Sequence, residues 1–332
     1  MIGMAAPLFA MALVVGSADH NPLFPGADPD AIAACGSWWI FPTTQGTGKR
    51  EHLTSRFYGW RSSDLRHWTR TTAPLLDIRS IRWIDDDHAP THALWAPSVT
   101  PANGRFYLYY SVGPQNPTPS RIGVAVADRP EGPYADSGKP LLTGGNGFEA
   151  IDPMVFVDPK TGKSYLYAGG SAGATLRVFE MAPDMVSIAR EVPVRTPPNF
   201  TEGSFMHERG GIYYLSCSHG RFNGPDYSVH YATGPSPIGP FTYRGAILVG
   251  DASRQGPGHH VFLEDPRTGD WFIVYHRWDR TDATPPFKGA RDVAIETIDY
   301  GSDGLIRPVR MTNGSPPIAP APSSPCPTSH KE

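Results

Sequence analysis

The stretch LWAPSVTPANGRFYLYYS, residues 94–111, holds the unit that decides the fold. A short strand-like run meets Asn103-Gly104 and continues as the aromatic run Phe106–Tyr110. Two such runs joined by Asn-Gly read as a β-hairpin. The unit recurs. GSWWIFPTT (36–44), TGKSYLYAG (161–169), GGIYYLSCS (210–218) and TGDWFIVYH (268–276) each open on a Gly-containing turn and continue as an aromatic strand. With Trp38, Phe106, Tyr165, Tyr213 and Trp271 aligned, Asp28, Trp95, Asp152, Glu202 and His259 lie 10 to 13 positions upstream, heading the partner strands.

The outer segments echo as well. RIGVAVADRPEGPY (121–134) and YSVHYATGPSPIGPF (227–241) share the ending Pro-x-Gly-Pro-aromatic, and SRFYGWRSSDLRHW (55–68) takes the same part in the first unit. A repeat of roughly 50–70 residues without helical periods suits a four-stranded sheet used five times. The expectation is an all-β chain forming a five-bladed β-propeller. A β-sandwich is the runner-up, but it needs no long repeat.

Composition agrees. The 332 residues include 35 glycines and 36 prolines, punctuation that favours short strands over long helices. Thirty-seven aromatic residues exclude disorder for most of the chain. A net charge of −3 argues against a nucleic-acid partner. Cys35, Cys217 and Cys326 have no metal-type spacing and make no disulfide framework, so the first two read as strand residues and Cys326 receives no role. Residues 1–19, apolar from 4 to 15 and followed by Gly16-Ser17-Ala18, read as a secretory signal peptide without a basic start. The expected location is therefore secreted or periplasmic, with cytoplasmic as the alternative. No other stretch suggests a membrane span. Residues 20–313 form the expected propeller, and the Pro/Ser-rich segment 314–332 is expected to be disordered.

In a propeller the innermost strands start beside the central channel. The five heads should then ring one mouth as Asp28, Trp95, Asp152, Glu202 and His259. Three carboxylates facing one pocket repel one another and serve chemistry or a cation. Splitting an acetal needs one carboxyl that protonates the leaving oxygen and another that activates water. Burial and like charge separate their proton affinities. For inversion the pair sits about 6.5–9.5 Å apart, a span that different blades can provide.

The ordered set NPLFPGADPDAI, WAPSVTPANGRFYLYYS, IGVAVADRPEGPY, IDPMVFVD, TEGSFM, GPGHHVF and YHRWDR, over residues 21 to 312, resembles glycoside hydrolase family 43. The resemblance implies a five-bladed propeller without room for the accessory β-sandwich of many xylosidases. It implies that Asp28 is the general base, Asp152 the residue that tunes proton affinity and orients substrate, and Glu202 the general acid. His259 resembles the channel-floor histidine, beside which many members hold a calcium ion. Arg291 matches a basic substrate contact. No cofactor is implied for the chemistry; a structural calcium ion is the one metal the resemblance suggests. The chain departs from the family pattern at Val261, where a small polar residue is usual, and in the insertion TDATPPFKGA (281–290).

Other residues weigh less. Trp95, more than Trp83, is a candidate to stack on a sugar face. Asp85-Asp86-Asp87-His88 lacks the spacing of a calcium loop and reads as a solvated loop. His92 and His219 are near heads or strand ends, in reach of substrate hydroxyls or at the surface, and His260 shares with His259 the reading as a metal neighbour or a channel histidine. Asp158-Pro159 and Asp265-Pro266 are followed by Thr-Gly and read as turns. The expected activity is an inverting, exo-acting removal of terminal α-L-arabinofuranosyl units from oligosaccharide or polysaccharide. β-D-Xylosidase and β-D-galactofuranosidase activities are alternatives on the same fold. A non-catalytic carbohydrate-binding propeller is the alternative of another class. A retaining fructan enzyme is disfavoured, because Gly26-Ala27-Asp28-Pro29-Asp30 stands where those carry Asn-Asp-Pro-Asn-Gly. The sequence leaves the oligomeric state open.

Overall fold

A computed structural model describes residues 16–45, 54–171, 173–279, 284–323 and 326. The chain starts with β1 (Phe24–Pro25). Blade one contains β2 (Ala27–Ala34) and β3 (Ser37–Thr43); β4 (Arg56–Phe57) leaves the sheet, β5 (Trp60–Ser62) and β6 (Trp68–Arg70) complete it, and β7 (Leu76–Asp77) pairs with β4. Blade two is β8 (Leu94–Ala102), β9 (Arg105–Val112) and β10 (Arg121–Ala127), edged by β11 (Ala135–Asp136) and β12 (Leu142–Thr143). Blade three runs β13 (Met154–Val157), β14 (Ser164–Ala168), β15 (Arg177–Met181) and β16 (Ile188–Val192). Blade four runs β17 (Glu202–Arg209), β18 (Ile212–His219), β19 (Ser228–Gly234) and β20 (Thr242–Leu248). Blade five has β21 (Arg254–Glu264), β22 (Trp271–Asp279) and β23 (Asp292–Ile298), and its fourth strand is β1. The five-bladed all-β propeller is as expected.

The aromatic strands read as unbroken apolar runs because both of their faces are buried. In β3, Trp39 and Phe41 pack towards blade two with Phe106 and Leu108, whereas Trp38 and Ile40 pack towards blade five with Val274 and Ile295. In β9, Tyr107 and Tyr109 turn to blade three and meet Val155 and Leu166. Tyr165 and Tyr167 of β14 face Tyr213 and Leu215 of β18, while Tyr214 turns to Ile273 and Tyr275. The period-2 alternation thus distributes side chains to alternate neighbours. Each fully buried large apolar side chain contributes about 1.5–3 kcal/mol.

Two terminal segments lock the ring. Phe24 and Pro25 pair with Val293 and Asp292, so blade five combines both ends of the chain. The segment after residue 313 is a correction: its described residues lie along the body instead of being disordered. The Trp38 indole donates to the Ala319 carbonyl at 2.9 Å, Arg66 donates to Pro316, and Ala319 belongs to the core between blades five and one. A Pro-rich strip has few N–H groups to satisfy, so it can dock through its carbonyls. Cys35 and Cys326 form a disulfide, which corrects the reading that gave Cys326 no role. Cys35 stands in the β2–β3 turn at φ 51°, not in a strand. Spacing alone could not foresee the bond, because 291 residues separate the partners. Cys217 is the buried free thiol.

The signal-peptide reading falls mainly on residues 1–15, outside the described residues. Gly16 and Ser17 bond to Thr69 and Trp68 of β6. Among the described residues no helix is long and apolar enough to cross a membrane.

Candidate active site

All five predicted heads line one cavity of about 220 Å³: Asp28, Trp95, Asp152, Glu202 and His259. They do not, however, occupy one structural position. A residue with positive φ stands at or just before the head bulge of every inner strand: Asp28 (46°), Ala96 (44°), Asp152 (54°), Gly203 (59°) and His259 (41°), with Gly256 (51°) a second one in β21. The pairing register supports this phase. Ala27 faces Thr43, Trp95 faces Ser111, Glu202 faces Ser218 and Gly258 faces His276, and each pairing is followed by a register shift. Gly169 N–H donates to the Ile151 carbonyl in the same place of blade three. Asp28, Asp152 and His259 therefore occupy the left-handed position, and Trp95 and Glu202 the one before. The single-register alignment of the sequence reading is corrected by one residue in blades two and four. At a bulge, neighbouring residues aim differently, so the acid approaches from another direction than the two aspartates.

The left-handed conformation costs a non-glycine residue about 1–2 kcal/mol. Such strain persists where its surroundings hold it. Glycines clear space nearby. A Cβ on Gly113 would lie 2.0 Å from the Trp95 ring, and one on Gly170 would lie 2.7 Å from Glu202 Cβ. Trp95 thus packs against the bare backbone of Gly113 and borders the cavity.

The carboxyls differ in their company. Burial raises the proton affinity of Asp28, but the Arg291 guanidinium, 2.9 Å from Oδ1, outweighs it with help from His259, His276 and Thr43. The Asp28 carboxyl is held well below the ordinary carboxylate range. Burial, then the charges of Glu202 and Asp28, push Asp152 well up, although Gly203 N–H donates to its Oδ2 at 3.1 Å. Burial also pushes Glu202 up; its oxygens accept from Ser171 at 2.8 Å and Tyr227 at 2.9 Å, which oppose that shift. Asp28 is thus the readily ionised carboxyl, while the Asp152–Glu202 pair holds a proton to higher pH than ordinary carboxyls do.

His259 Nδ1 lies 3.6 Å from Asp28 and 3.5 Å from Asp152, between the two aspartates. Burial pushes this imidazole down, so it is neutral at pH 7. His276 Nδ1 accepts the Asp28 backbone N–H at 3.0 Å. A calcium ion takes six to eight oxygen ligands. The nearby aspartates are already engaged by Arg291 and Gly203 N–H, and His259 and His276 offer nitrogens. Among the described residues no group of three or more His, Cys, Asp or Glu side chains converges to hold a metal. This donor set does not fit a protein-built calcium site.

Other predicted residues resolve plainly. Arg291 borders the cavity, but its clearest bond is to Asp28. The insertion before it folds back, with Phe287 against Trp278 and its N–H on the Asn223 carbonyl; residues 280–283 lie outside the described residues. Trp83 is buried in the core between blades one and two and bonds Asp136, so it is no sugar platform. Asp87 is anchored by Arg121, His92 and Thr118, which fixes His92 away from substrate duty, while Asp85 is exposed. His219 packs edge-on against His230, and His260 binds Ser216 deep in blade four. Asp158 and Asp265 close hairpin turns. Sequence reasoning missed Ser171, Tyr227 and His276. His276 ends the repeated aromatic strand, a position that offered a signal; Ser171 and Tyr227 follow no repeat.

The sequence profile described as Glycosyl hydrolases family 43 matches residues 20–306. The chain is 36% identical over 313 residues to beta-D-galactofuranosidase xynD of Aspergillus niger, covering 88% of this chain and 85% of that one. It is 31% identical to an arabinoxylan arabinofuranohydrolase of Bacillus subtilis, over 88% of this chain and 64% of the relative. A solved thermostable family-43 glycoside hydrolase superposes with a TM-score of 0.71 at 26% identity, covering 90% and 96% of the two chains.

Proposed function

The chain belongs to glycosyl hydrolases family 43, and from that premise we propose an inverting, exo-acting glycosidase that removes terminal α-L-arabinofuranosyl units from oligosaccharide or polysaccharide. Membership makes the chain a hydrolase of O-glycosyl bonds, and the non-catalytic alternative falls with it. The observation that carries the mechanism is the pair of opposed carboxyls in one small cavity: Asp28 held ionised, Glu202 pushed towards its protonated form. Glu202 donates its proton to the glycosidic oxygen as the bond to the sugar breaks. Asp28 accepts a proton from water as its oxygen attacks the anomeric carbon from the other face. Asp152 is coupled by like charge to Glu202, so the two carboxyls resist ionising together, and it faces the sugar hydroxyls. Trp95 borders the sugar face, and Arg291 keeps Asp28 ionised. A cavity of about 220 Å³ suits one sugar unit, which supports action at chain ends.

A specific observation favours a second substrate. The relative that shares 36% identity over most of both chains is named a beta-D-galactofuranosidase. β-D-Galactofuranose has the ring stereochemistry of α-L-arabinofuranose and differs by an extended C4 side chain. The same carboxyl arrangement serves both rings. β-D-Xyloside cleavage remains a third activity to test, since other relatives are named beta-xylosidase and xylosidase/arabinosidase. The Cys35–Cys326 disulfide supports a secreted or periplasmic location, because such bonds persist in oxidising compartments.

The test is release of nitrophenol from aryl α-L-arabinofuranoside, β-D-galactofuranoside and β-D-xyloside, with the product anomer followed by NMR. Inverted product from the first substrate supports the reading. Retained configuration overturns the roles of Asp28 and Glu202.

A further inference from the structure

The strained head residues need their backbone N–H groups satisfied, and the neighbouring blade does this in a repeating way. Ala96 N–H of blade two donates to Thr43 Oγ1 of blade one at 2.7 Å. Asp152 N–H of blade three donates to Ser111 Oγ of blade two at 2.9 Å. His259 N–H of blade five donates to Ser218 Oγ of blade four at 2.8 Å. Asp28 N–H of blade one donates to His276 Nδ1 of blade five at 3.0 Å. Each acceptor stands at the same place, the second-strand residue facing the residue before the bulge. The fifth blade-to-blade step lacks a side chain there, because blade three has Gly169 at that place. A Cβ on Gly169 would lie 2.0 Å from the Thr175 carbonyl oxygen. Gly203 N–H instead donates to the Asp152 carboxylate.

We propose that Thr43, Ser111, Ser218 and His276 form a cyclic set of positioning residues, each aiming the head of the next blade, and that Asp152 completes the circle where glycine interrupts it. The hydroxyls also reach the carboxyls. Thr43 lies close enough to the Asp28 carboxyl to help lower its proton affinity. Ser218 lies beside Tyr227 and lowers the proton affinity of its phenol, which donates to Glu202 Oε1 at 2.9 Å. One ring of caps therefore reaches the base, the acid and the residue between them. Ser111 and Ser218 do this from behind the cavity wall, fully buried and without bordering the pocket. Losing such a cap leaves a buried N–H without a partner, and the strained residue relaxes towards ordinary φ. A displacement of about 1 Å at a reacting group costs up to about 100-fold in rate.

The kinetic part rests on the glycosidase reading, so the experiment separates the two. Wild type, Ser111→Ala, Ser111→Thr, Ser218→Ala and a turn control, Thr161→Val, are compared on the best aryl furanoside of the panel. The control removes the Thr161–Asp158 bond at a hairpin remote from the cavity. Expected results are a ~10- to 100-fold fall in kcat for Ser111→Ala with KM within about twofold, a displaced pH profile, and recovery of most activity in Ser111→Thr. Thr161→Val lowers the Tm while leaving kcat and the pH profile in place. If Ser111→Ala and Ser218→Ala behave like the control, the ring is only structural and the proposal is overturned. Amide hydrogen exchange tests the ring independently of turnover. The ring predicts slow exchange at Asp28, Ala96, Asp152, Gly203 and His259, with selective loss of protection at Asp152 in Ser111→Ala. Fast exchange at these amides in the wild type overturns it. An inactive wild type with protected amides overturns the glycosidase reading and leaves the ring standing.

Discussion

Asp28-Pro29 and Asp152-Pro153 are the same dipeptide, in the same left-handed conformation, at the same point of two blades. Their carboxyls nevertheless move in opposite directions, Asp28 down and Asp152 up. Both are buried, so desolvation pushes both up. The difference is the partner on the far side: Asp28 meets Arg291 at 2.9 Å, whereas Asp152 faces Glu202 and Asp28 across the cavity. The motif places the carboxyl; the neighbours assign its work. A cationic partner makes a base, and like charge makes a residue that keeps a proton nearby.

The largest expected effect comes from removing either end of this polarity. Glu202→Gln and Asp28→Asn should each lower kcat by ~10³-fold. Glu202→Gln should lose less on a dinitrophenyl leaving group, which departs without a proton, and equal loss on both leaving groups breaks the assignment. Asp152→Asn should lower kcat by ~10- to 100-fold. It should also move the alkaline limb of kcat/KM to lower pH, because a lone Glu202 no longer shares a proton with a like-charged neighbour. An alkaline limb that stays in place would show that Asp152 does not act on the acid. Arg291→Met works on the other aspartate. Without its cation Asp28 holds a proton more tightly, and the acid limb should rise by ~1–3 pH units.

The smallest effect concerns Asp30, two residues from Asp28 and outside the ring. Its Oδ2 accepts Val99 N–H at 2.6 Å, but burial dominates and pushes the carboxyl up from 3.8 to about 7. Between those values the folded state binds a proton that the unfolded state has lost, so the contribution of Asp30 to stability declines as pH rises from about 4 to 7. Asp30→Asn should flatten that decline and raise the Tm by ~2–4 °C at pH 8, with little change at pH 4. A Tm at pH 8 that falls on substitution would show that ionised Asp30 stabilises the fold.

The propeller was legible because burial on both faces writes itself as unbroken aromatic runs: Trp38–Phe41, Phe106–Tyr110 and Trp271–Tyr275. The three carboxyls were legible from their places before those runs. What escaped was the phase of the bulge. A one-residue offset between Glu202 and Asp152 leaves no trace in composition, and it appears only when register and φ are known. The caps were partly written. Thr43, Ser111, Ser218 and His276 each stand five residues past Trp38, Phe106, Tyr213 and Trp271, polar ends to apolar strands. The disulfide and the docked segment around Ala319 were hidden by distance along the chain, since a Pro-rich strip has the same composition whether it binds or not.

Because β1 is the fourth strand of blade five, the last sheet cannot be completed until the latest-made strands meet the earliest. Asp28 follows β1 by three residues and takes its backbone partner, His276, and its cation, Arg291, from that same blade. The base is therefore armed by circularisation. Four finished blades hold Glu202 and Asp152 near their final places but leave Asp28 without the company that keeps it ionised. During refolding, catalytic competence should emerge only when β1 joins blade five, later than the bulk of the β-sheet signal. Turnover thus serves as a clock for the closing of the molecule.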